Sequence, residues 1–476
     1  MRLSKATIEN FRGIKNLEIE FDRDITVLIG ENNSGKSSII EALRLCLDAI
    51  KSDKACNFND FDFYRDEKWK DIHTCEPIKL TLSFLETEDH KWTAPITQGL
   101  NDVIVGDEYS SIKLQVSAKY DEDAGEIVQT LSFLDDAGNV MVGKKDVVRE
   151  LRKLRPFFFL SALRDAKDQF SGKSTFWASF LKNKDIDDPT RQTLEDELFD
   201  IITKIVNAHA SFKDVTEEVK RISELVAVGK TESVSVDPVS IDIYKMLQYN
   251  TEVNLMTTTN AKIPIRSHGE GTQSLSVLLL FSAFLKTRLK TDVDKHAEPI
   301  IAIEEPETHL HPNAIRLVWK ILNDLPGQKI ISTHSGDVLS EIPLHNLRMI
   351  QRKNAHTECK LIISDQLDDD DLRKINHHIR RSRGELLFAR KWLLVEGETD
   401  VSVFTECAEL LGVNLYKYGV RVVEYSQVGI KVFIKVADFL GIKWFLVADG
   451  DNAGEKDYIK PAKRLRGFNS QAQQRR

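Results

Sequence analysis

Hydrophobic and polar positions alternate along much of the N-terminal part of the chain, and this period of two predicts β-strands. The alternation is clearest in LSKATIENF, GIKNLEIEF, PIKLTLSFLE, SIKLQVSAKY and EIVQTLSFLD. Two continuous apolar runs, DITVLIG and RPFFFLSAL, predict buried strands instead. After the first run the spacing changes to that of a helix in KSSIIEALRLCLDAI, so a strand, a turn and a helix follow one another there.

The same patterns divide the chain into segments. Helical, charged stretches such as RQTLEDELFDIITKIVNAH and FKDVTEEVKRISEL predict a helical insertion. Apolar strands and helices then resume, a highly charged connection follows, and the remainder reads strand, helix, strand, helix, strand. That order is typical of a compact α/β domain. The predicted boundaries are 1–165, 166–260, 261–365, 366–390 and 391–476.

Composition narrows the class of protein. The 476 residues are 41% hydrophobic and 29% charged, and no apolar run is long enough to cross a membrane. The five cysteines are scattered without metal-site spacing, and the N-terminus lacks the apolar region of a signal peptide, so we expect a reduced, cytoplasmic protein. The net charge of −8 does not favour general nucleic-acid binding. The basic stretch at 456–476 is either a solvated tail or a phosphate-binding segment.

The stretch GENNSGKS has the spacing of a phosphate-binding loop, with a strand before it and a helix after it. Its glycines let backbone N–H groups face phosphate oxygens at a helix N-terminus. The lysine is expected to reach the β- and γ-phosphates, and the hydroxyl of Ser37 to ligate Mg²⁺. The residues predicted to hold the nucleotide are Gly30, Asn32, Asn33, Ser34, Gly35, Lys36, Ser37 and Ser38.

Three further stretches complete a predicted ATPase site. Glu304 and Glu305 lie at the end of the apolar strand in PIIAIEEPETHLHP. Glu304 is expected to hold Mg²⁺, and Glu305 to orient the attacking water. KIISTHS contains the end of a buried strand followed by His334, which is expected to contact the γ-phosphate. RSHGEGTQS opens an apolar helix and predicts a second anion site at its N-terminus, with Gly269, Gly271 and Gln273 as its residues. His309 and His311 could form a metal pair, but a packed turn is the favoured interpretation.

A second acidic site is predicted near the C-terminus. LLVEGETD places Glu396 and Asp400 after a strand, and WFLVADGDNAG places Asp449 and Asp451 after another. Because ligands gather at the carboxyl ends of parallel strands, we expect these four carboxylates to converge. Their repulsion would be relieved by divalent cations, two of which can assist a phosphoryl displacement. The other interpretation is a solvated rim, and Glu398 is expected to be a solvated neighbour.

These motifs resemble a known combination of domains. The phosphate loop, GEGTQS, the Glu304–Glu305 strand end and His334 resemble ABC-type ATPase heads, and NFRG at 10–13 resembles the RecF, SMC and OLD-like branch. Glu-Gly-x-x-Asp followed by Asp-x-Asp resembles the Toprim domain. An ABC-type head followed by a Toprim domain is the arrangement of the OLD (overcoming lysogenization defect) family nucleases.

The resemblance implies an α/β fold in which 1–165 and 261–365 are two lobes of one ATPase head. The insertion at 166–260 would mediate dimerisation, 366–390 would be a linker, and 391–476 would be the Toprim-like nuclease domain. Since the chain stops 25 residues after Asp451, that domain is expected to be C-terminally shortened or degenerate.

The implied function is an ATP-binding and ATP-hydrolysing, Mg²⁺-dependent DNA endonuclease of anti-phage defence, with Mn²⁺ possible at the Toprim site. The resemblance also implies at least a homodimer, because the signature motif of one head completes the nucleotide site of another. A defence-system protein or nucleic acid is an expected partner. The alternative is a non-cleaving, DNA-binding ATPase of the RecF/SMC type, acting as a clamp or sensor.

Overall fold

The computed structural model describes residues 1–50, 58–66, 71–88, 91–106, 108–141, 145–160, 186–208, 242–244, 246, 254–256, 262–291, 297–353, 356–362, 367–382, 384–450 and 458–460. The strands in these ranges are β1 (Arg2–Phe11), β2 (Ile14–Glu20), β3 (Ile25–Gly30), β4 (Ile78–Leu85), β5 (Ser111–Asp121), β6 (Glu126–Leu134), β7 (Val140–Met141), β8 (Phe157–Leu160), β9 (Asn254–Met256), β10 (Lys262–Pro264), β11 (Ile300–Glu304), β12 (Gln328–Ser332), β13 (Leu347–Lys353), β14 (His356–Leu361), β15 (Lys391–Val395), β16 (Val420–Glu424) and β17 (Lys443–Leu446). The helices are α1 (Lys36–Ala49), α2 (Ala94–Leu100), α3 (Lys145–Leu154), α4 (Asp188–Ala208), α5 (Glu270–Thr291), α6 (Pro312–Asn323), α7 (Gly336–Leu339), α8 (Asp369–Arg381), α9 (Glu398–Leu410) and α10 (Ile430–Leu440).

The chain divides into two compact units. One comprises Met1–Arg164 with Leu278–Arg476, and the other is Asp165–Val277. In the second unit the structure describes α4, a two-stranded pairing of β9 with β10 and the beginning of α5. The predicted helix at 212–225 lies outside the described residues.

Two six-stranded sheets organise the first unit. One is antiparallel, in the order β2-β1-β4-β5-β6-β7, and contains the strands that the alternating pattern predicts. The other has the order β14-β13-β3-β12-β11-β8 and is parallel except at the β13–β14 pair. Every residue of β3 and β12 is buried, which is why β3 reads as a continuous apolar run instead of an alternating one.

Helix α1 contacts strands of both sheets. Its side chains Ile39, Ile40, Leu43 and Cys46 are fully buried, so the helix is apolar on more than one face. A helix of this kind is stable when layers of structure cover it on both sides. The consequence for function is that the N-terminus of α1, with the turn before it, is held rigidly at the carboxyl end of β3.

A third sheet lies in the C-terminal part of the first unit. Its order is β16-β15-β17, and both pairings are parallel. Trp392 and Leu394 of β15 are fully buried, and α10 buries an apolar face that includes Phe433. Because the three strands are parallel, their carboxyl ends lie at one edge of the sheet.

The charged segment that was predicted to be a connection contains regular structure. Helix α8 begins after Asp368, whose side chain accepts the N–H of Asp371 as an N-cap. The segment then turns at Gly384, where an added Cβ would lie 2.5 Å from the carbonyl oxygen of Gly336, so the connection packs tightly against α7. Within the described ranges, no helix is both long enough and apolar enough to cross a membrane.

Candidate functional site

The phosphate loop, residues 30–37, joins β3 to α1. Gly30 has φ 149° and Gly35 has φ 112°, conformations that L side chains rarely adopt. At Gly30 there is also no space, because an added Cβ would lie 2.2 Å from the carbonyl oxygen of Ile350 in β13. Asn33 adopts a left-handed conformation at φ 63°, which asparagine tolerates better than most residues. The loop is therefore shaped as predicted, by backbone conformations that depend on particular residues.

Lys36 is the first residue of α1, and its side chain is only 5% exposed. Its ammonium donates to the carbonyl oxygens of Gly30 at 2.9 Å and Glu31 at 2.8 Å, and to Ser34 Oγ at 3.4 Å. Burial lowers the pKa of Lys36 to about 8, although the carboxylates of Glu305 and Glu31 act in the opposite direction. The ammonium is thus positioned inside the loop where it can pass to a phosphate.

Glu304 ends β11 beside the first turn of α1. The hydroxyl of Ser37 donates a hydrogen bond to its carboxylate. Burial raises the pKa of Glu304, and the neighbouring Glu305 raises it further. A hydroxyl and a carboxylate placed together in this way are suitable oxygen ligands for a divalent cation at the phosphates.

Glu305 and His334 face each other from the ends of adjacent strands. Glu305 follows β11 with φ 42°, a strained conformation for a residue other than glycine, and its N–H donates to the carbonyl of Ser332 at the end of β12. His334 Nε2 lies 3.8 Å from Glu305 Oε1. Burial lowers the pKa of His334, and the positive charge of Lys36 lowers it further. Both effects favour the neutral form of the imidazole, which can accept or donate a hydrogen bond.

Glu307 is a member of this site that the sequence analysis missed. Its Oε1 accepts hydrogen bonds from Thr333 Oγ1 and from the N–H of His334, both at 2.8 Å. Its Oε2 is buried and has no hydrogen-bond partner within the described ranges, and burial raises the pKa of Glu307. In the sequence Glu307 is the third acid of EEPE, and it reads as a turn residue unless its contact with the next strand is known.

The predicted second anion site lies at the start of α5, which begins at Glu270. Gly269 immediately precedes the helix and is exposed, and Gly271 lies in the first turn. Gln273 is buried, and its Nε2 donates to the carbonyl of His268. That contact stiffens the turn, and the part of these residues in nucleotide binding stays a prediction.

In the C-terminal sheet, the predicted acids follow the strands β15 and β17. Glu396 comes directly after β15, Asp400 lies in the first turn of α9, and Asp449 follows β17. The N–H of Gly397 donates to Asp400 Oδ2 at 3.0 Å, which orients that carboxylate as a capping group. Asp451 lies outside the described residues. We call this group of Glu396, Asp400 and Asp449 the carboxylate edge.

One residue of the carboxylate edge, Glu396, has an environment that suits a metal ligand. Glu396 Oε2 is buried and has no hydrogen-bond partner among the described residues, a costly arrangement unless a cation is bound. Among the described residues, however, no three His, Cys, Asp or Glu side chains are close enough together to hold a metal, so His309 and His311 form no such group either. Glu398 is 81% exposed at its side chain and lies 3.7 Å from Arg381, in keeping with a solvated neighbour.

Tyr425 is a second residue that the sequence analysis missed. It directly follows β16, the third strand of the sheet, so it lies at the same side of the sheet as the carboxylate edge. It is fully buried. Burial raises the pKa of its hydroxyl, and the charges of Glu396, Asp449 and Asp400 raise it further. The hydroxyl donates to the carbonyl of Val447 at 3.3 Å. Tyr425 therefore stays protonated between the strands that carry the acids.

Comparison with known proteins agrees with this architecture. Residues 1–385 match the family model described as "Protein of unknown function (DUF2813)". Residues 387–451 match the model "Overcoming lysogenization defect protein-like, TOPRIM domain". The matched range includes Glu396, Asp400, Asp449 and Asp451.

Three relatives align with nearly the whole chain. "Uncharacterized protein YbjD" of Escherichia coli (strain K12) is 29% identical, covering 96% of this chain and 81% of the relative. "OLD nuclease" of Thermus scotoductus is 24% identical, covering 94% of this chain and 82% of the relative. "Endonuclease GajA" of Bacillus cereus is 22% identical, covering 98% and 79%. The predicted fold class and the resemblance, a head followed by an OLD-like Toprim domain, are confirmed.

Proposed function

The chain belongs to the DUF2813 family and carries an OLD-like Toprim domain after its ATPase region, and from this premise we propose that it is a nucleotide-regulated DNA endonuclease. The head binds and hydrolyses ATP with Mg²⁺, and the carboxylate edge cleaves DNA with Mg²⁺ or Mn²⁺. The relatives named OLD nuclease and endonuclease GajA support this assignment.

The observation that carries the nuclease proposal is the buried Oε2 of Glu396 at the end of β15, for which the described part of the chain offers no hydrogen-bond partner. It lies at the same edge of the sheet as Asp400 and Asp449, each of which offers carboxylate oxygens. These three residues would hold the divalent cations together with Asp451, which lies outside the described residues, because no three of the described acids are close enough together to do so by themselves. When bound, such cations supply charge stabilisation and an activated water for phosphodiester hydrolysis.

In the head, each residue has a defined task. The backbone of the phosphate loop and Lys36 bind the phosphates, and Ser37 and Glu304 hold the cation. Glu305 orients the attacking water, and neutral His334 contacts the γ-phosphate from the end of the adjacent strand. Gly269, Gly271 and Gln273 are proposed to complete the nucleotide site of a second copy of the chain, which makes the active form at least a dimer.

The proposed setting is anti-phage defence in the cytoplasm, with DNA as substrate and a defence-system partner. The relative named endonuclease GajA supports the nuclease role, and the relative "Retron Vc95 probable ATPase" of Vibrio cholerae, 22% identical over 74% of this chain, supports a head that can work within a larger system. The predicted domain boundaries are retained in this proposal.

A plasmid-nicking assay tests the nuclease. Wild type is expected to convert supercoiled plasmid to nicked or linear DNA with Mg²⁺ or Mn²⁺, and chelation should stop the reaction. Asp449→Ala should reduce the rate by roughly 100-fold or more, since it removes a metal ligand. Glu398→Gln is the matched control, because it removes an exposed acid near the same edge and should leave the rate unchanged.

If wild type and Asp449→Ala both leave the plasmid intact while still retarding it in a gel, the nuclease proposal is wrong. The chain would then be a non-cleaving, DNA-binding ATPase of the clamp or sensor type.

A further inference from the structure

An ion pair joins the phosphate loop to the beginning of the C-terminal sheet. The guanidinium of Arg390 donates two parallel hydrogen bonds to the carboxylate of Glu31. One runs from Nε to Oε1 and the other from Nη2 to Oε2, the latter at 2.7 Å. The two residues are 359 positions apart in the chain. Fork-shaped arginine–carboxylate contacts are geometrically specific, unlike most exposed ion pairs. The contact thus fixes one orientation of the loop relative to Arg390.

The backbone of Arg390 is connected to all three strands of the C-terminal sheet. Its N–H donates to the carbonyl of Gly419, just before β16, at 2.9 Å. Its carbonyl accepts the N–H of Lys443, the first residue of β17, at 3.1 Å. Arg390 itself immediately precedes β15. A displacement of this residue therefore acts on the strands whose far ends carry Glu396, Tyr425 and Asp449.

Glu31 is connected to the nucleotide in a similar way. Its backbone carbonyl accepts a hydrogen bond of 2.8 Å from the ammonium of Lys36, the residue expected to reach a phosphate. Glu31 borders a cavity of about 1220 Å³ that is also lined by His334, Arg390, Lys391 and Lys443. Nucleotide phosphates entering beside the loop would add several negative charges near Arg390 and compete with Glu31 for its guanidinium.

We propose that the Arg390–Glu31 ion pair is the contact by which nucleotide in the phosphate loop regulates the carboxylate edge. Arg390 is a positioning residue: without nucleotide, the pair holds the start of β15 and its two neighbours in place. Nucleotide binding releases the pair and loosens the three strands. This inference rests on the proposed function in that it assigns regulation to the same two centres, but its test does not depend on DNA cleavage.

Amide hydrogen exchange read by mass spectrometry gives a direct measurement on full-length protein. A saturating non-hydrolysable ATP analogue with Mg²⁺ is expected to speed exchange in peptides covering β15 and β17 by about fivefold or more, the size of a weak allosteric coupling. Arg390→Ala should show the faster exchange without the analogue and no further change with it. Glu31→Gln, which alters the other partner, should behave in the same way.

Two controls separate coupling from simple loss of an ion pair. Arg421→Ala breaks the exposed Arg421–Glu385 pair in the same region without touching the phosphate loop, and should retain the wild-type response. The reciprocal variant Glu31→Arg with Arg390→Glu restores an opposite-charge pair and should regain a response that each single reversal lacks. Nucleotide affinity is measured for every variant, so that all are compared at saturation.

The inference is overturned if the analogue leaves exchange in β15 and β17 of the wild type unchanged. It is equally overturned if Arg390→Ala responds as the wild type does, or if Arg421→Ala loses the response as well. A protein that shows the predicted exchange pattern but never nicks plasmid would retain the coupling and lose the proposed nuclease function, so the two failures are distinguishable.

Discussion

At the scale of single residues, Lys36 holds a buried positive charge where a phosphate group is expected to bind. The ammonium is buried, bonded to carbonyl oxygens of its own loop, and has its pKa lowered from 10.5 to about 8. Burial is the largest cause, because a low-dielectric environment disfavours the charged form. Phosphate oxygens would compensate that charge, so the pKa of Lys36 should rise when nucleotide binds.

This shift predicts the pH dependence of nucleotide binding. The free protein has begun to lose the Lys36 proton at pH 8, whereas the complex keeps it to higher pH, so binding above pH 8 takes up a proton. Affinity should therefore be constant up to about pH 8 and then fall, approaching tenfold per pH unit. Calorimetric titration with an ATP analogue between pH 7 and 9.5 measures this.

The matched variant for this prediction is Lys36→Arg, which keeps the charge but does not titrate in the range. It should bind more weakly overall and show a flat pH profile. A wild-type affinity that stays constant to pH 9.5 would contradict the lowered pKa as the controlling feature of the loop.

At the scale of elements, the ends of β11 and β12 are held together by a side chain and not only by the ladder of the sheet. Glu307, in the turn after β11, accepts both the Thr333 hydroxyl and the His334 N–H through a single oxygen, Oε1. This bridge fixes the loop that presents His334 to Glu305. The two residues proposed to act on the γ-phosphate are thereby positioned by a third that need not touch it.

We predict that Glu307→Ala lowers the turnover number of ATP hydrolysis by about 10²-fold, the cost of a misplacement of about 1 Å in a catalytic group. Nucleotide affinity should change little, since the phosphate loop is not involved. Glu307→Gln should retain most of the activity, because the amide oxygen can accept both hydrogen bonds. Steady-state hydrolysis and equilibrium binding measured side by side test this, and equal damage from both substitutions would indicate that the charge itself takes part.

The elements differ in how far the sequence could predict them. Strands β3, β11 and β12, the turn at residues 30–37 and helix α1 follow from local patterns, because apolar runs, glycine positions and helical spacing are encoded over a few residues. Glu307, Tyr425 and Arg390 could not be found in this way. Their roles depend on contacts with strands that are adjacent in the sheet but carry no periodic signal in the chain. The helix in the charged segment before β15 was also not predicted, because the segment was interpreted from its high charge. Asp368 is a residue type that caps helices, and that local signal indicates a helix more strongly than the composition of the segment does.

At the scale of the whole molecule, the two centres belong to different sheets. The nucleotide residues lie at the carboxyl ends of β3, β11 and β12, whereas the carboxylate edge lies at the carboxyl ends of β15 and β17. Lys391 and Lys443, which begin those two strands, border the cavity beside the phosphate loop. The length of β15, five residues or about 16 Å, therefore lies between that cavity and Glu396. We therefore expect the chemistry of the two centres to be independent, with only regulation passing between them.

This separation predicts that each activity can be removed alone. Glu305→Gln should lower ATP hydrolysis by about 10²-fold or more, because the attacking water is no longer oriented, while plasmid nicking at saturating ATP stays within about threefold of wild type. Asp449→Ala should lose nicking and keep hydrolysis. Phosphate release and plasmid nicking measured on the same preparations decide the matter. Parallel loss of both activities in Glu305→Gln would instead mean that each cut requires hydrolysis, so that the head drives cleavage and does not merely permit it.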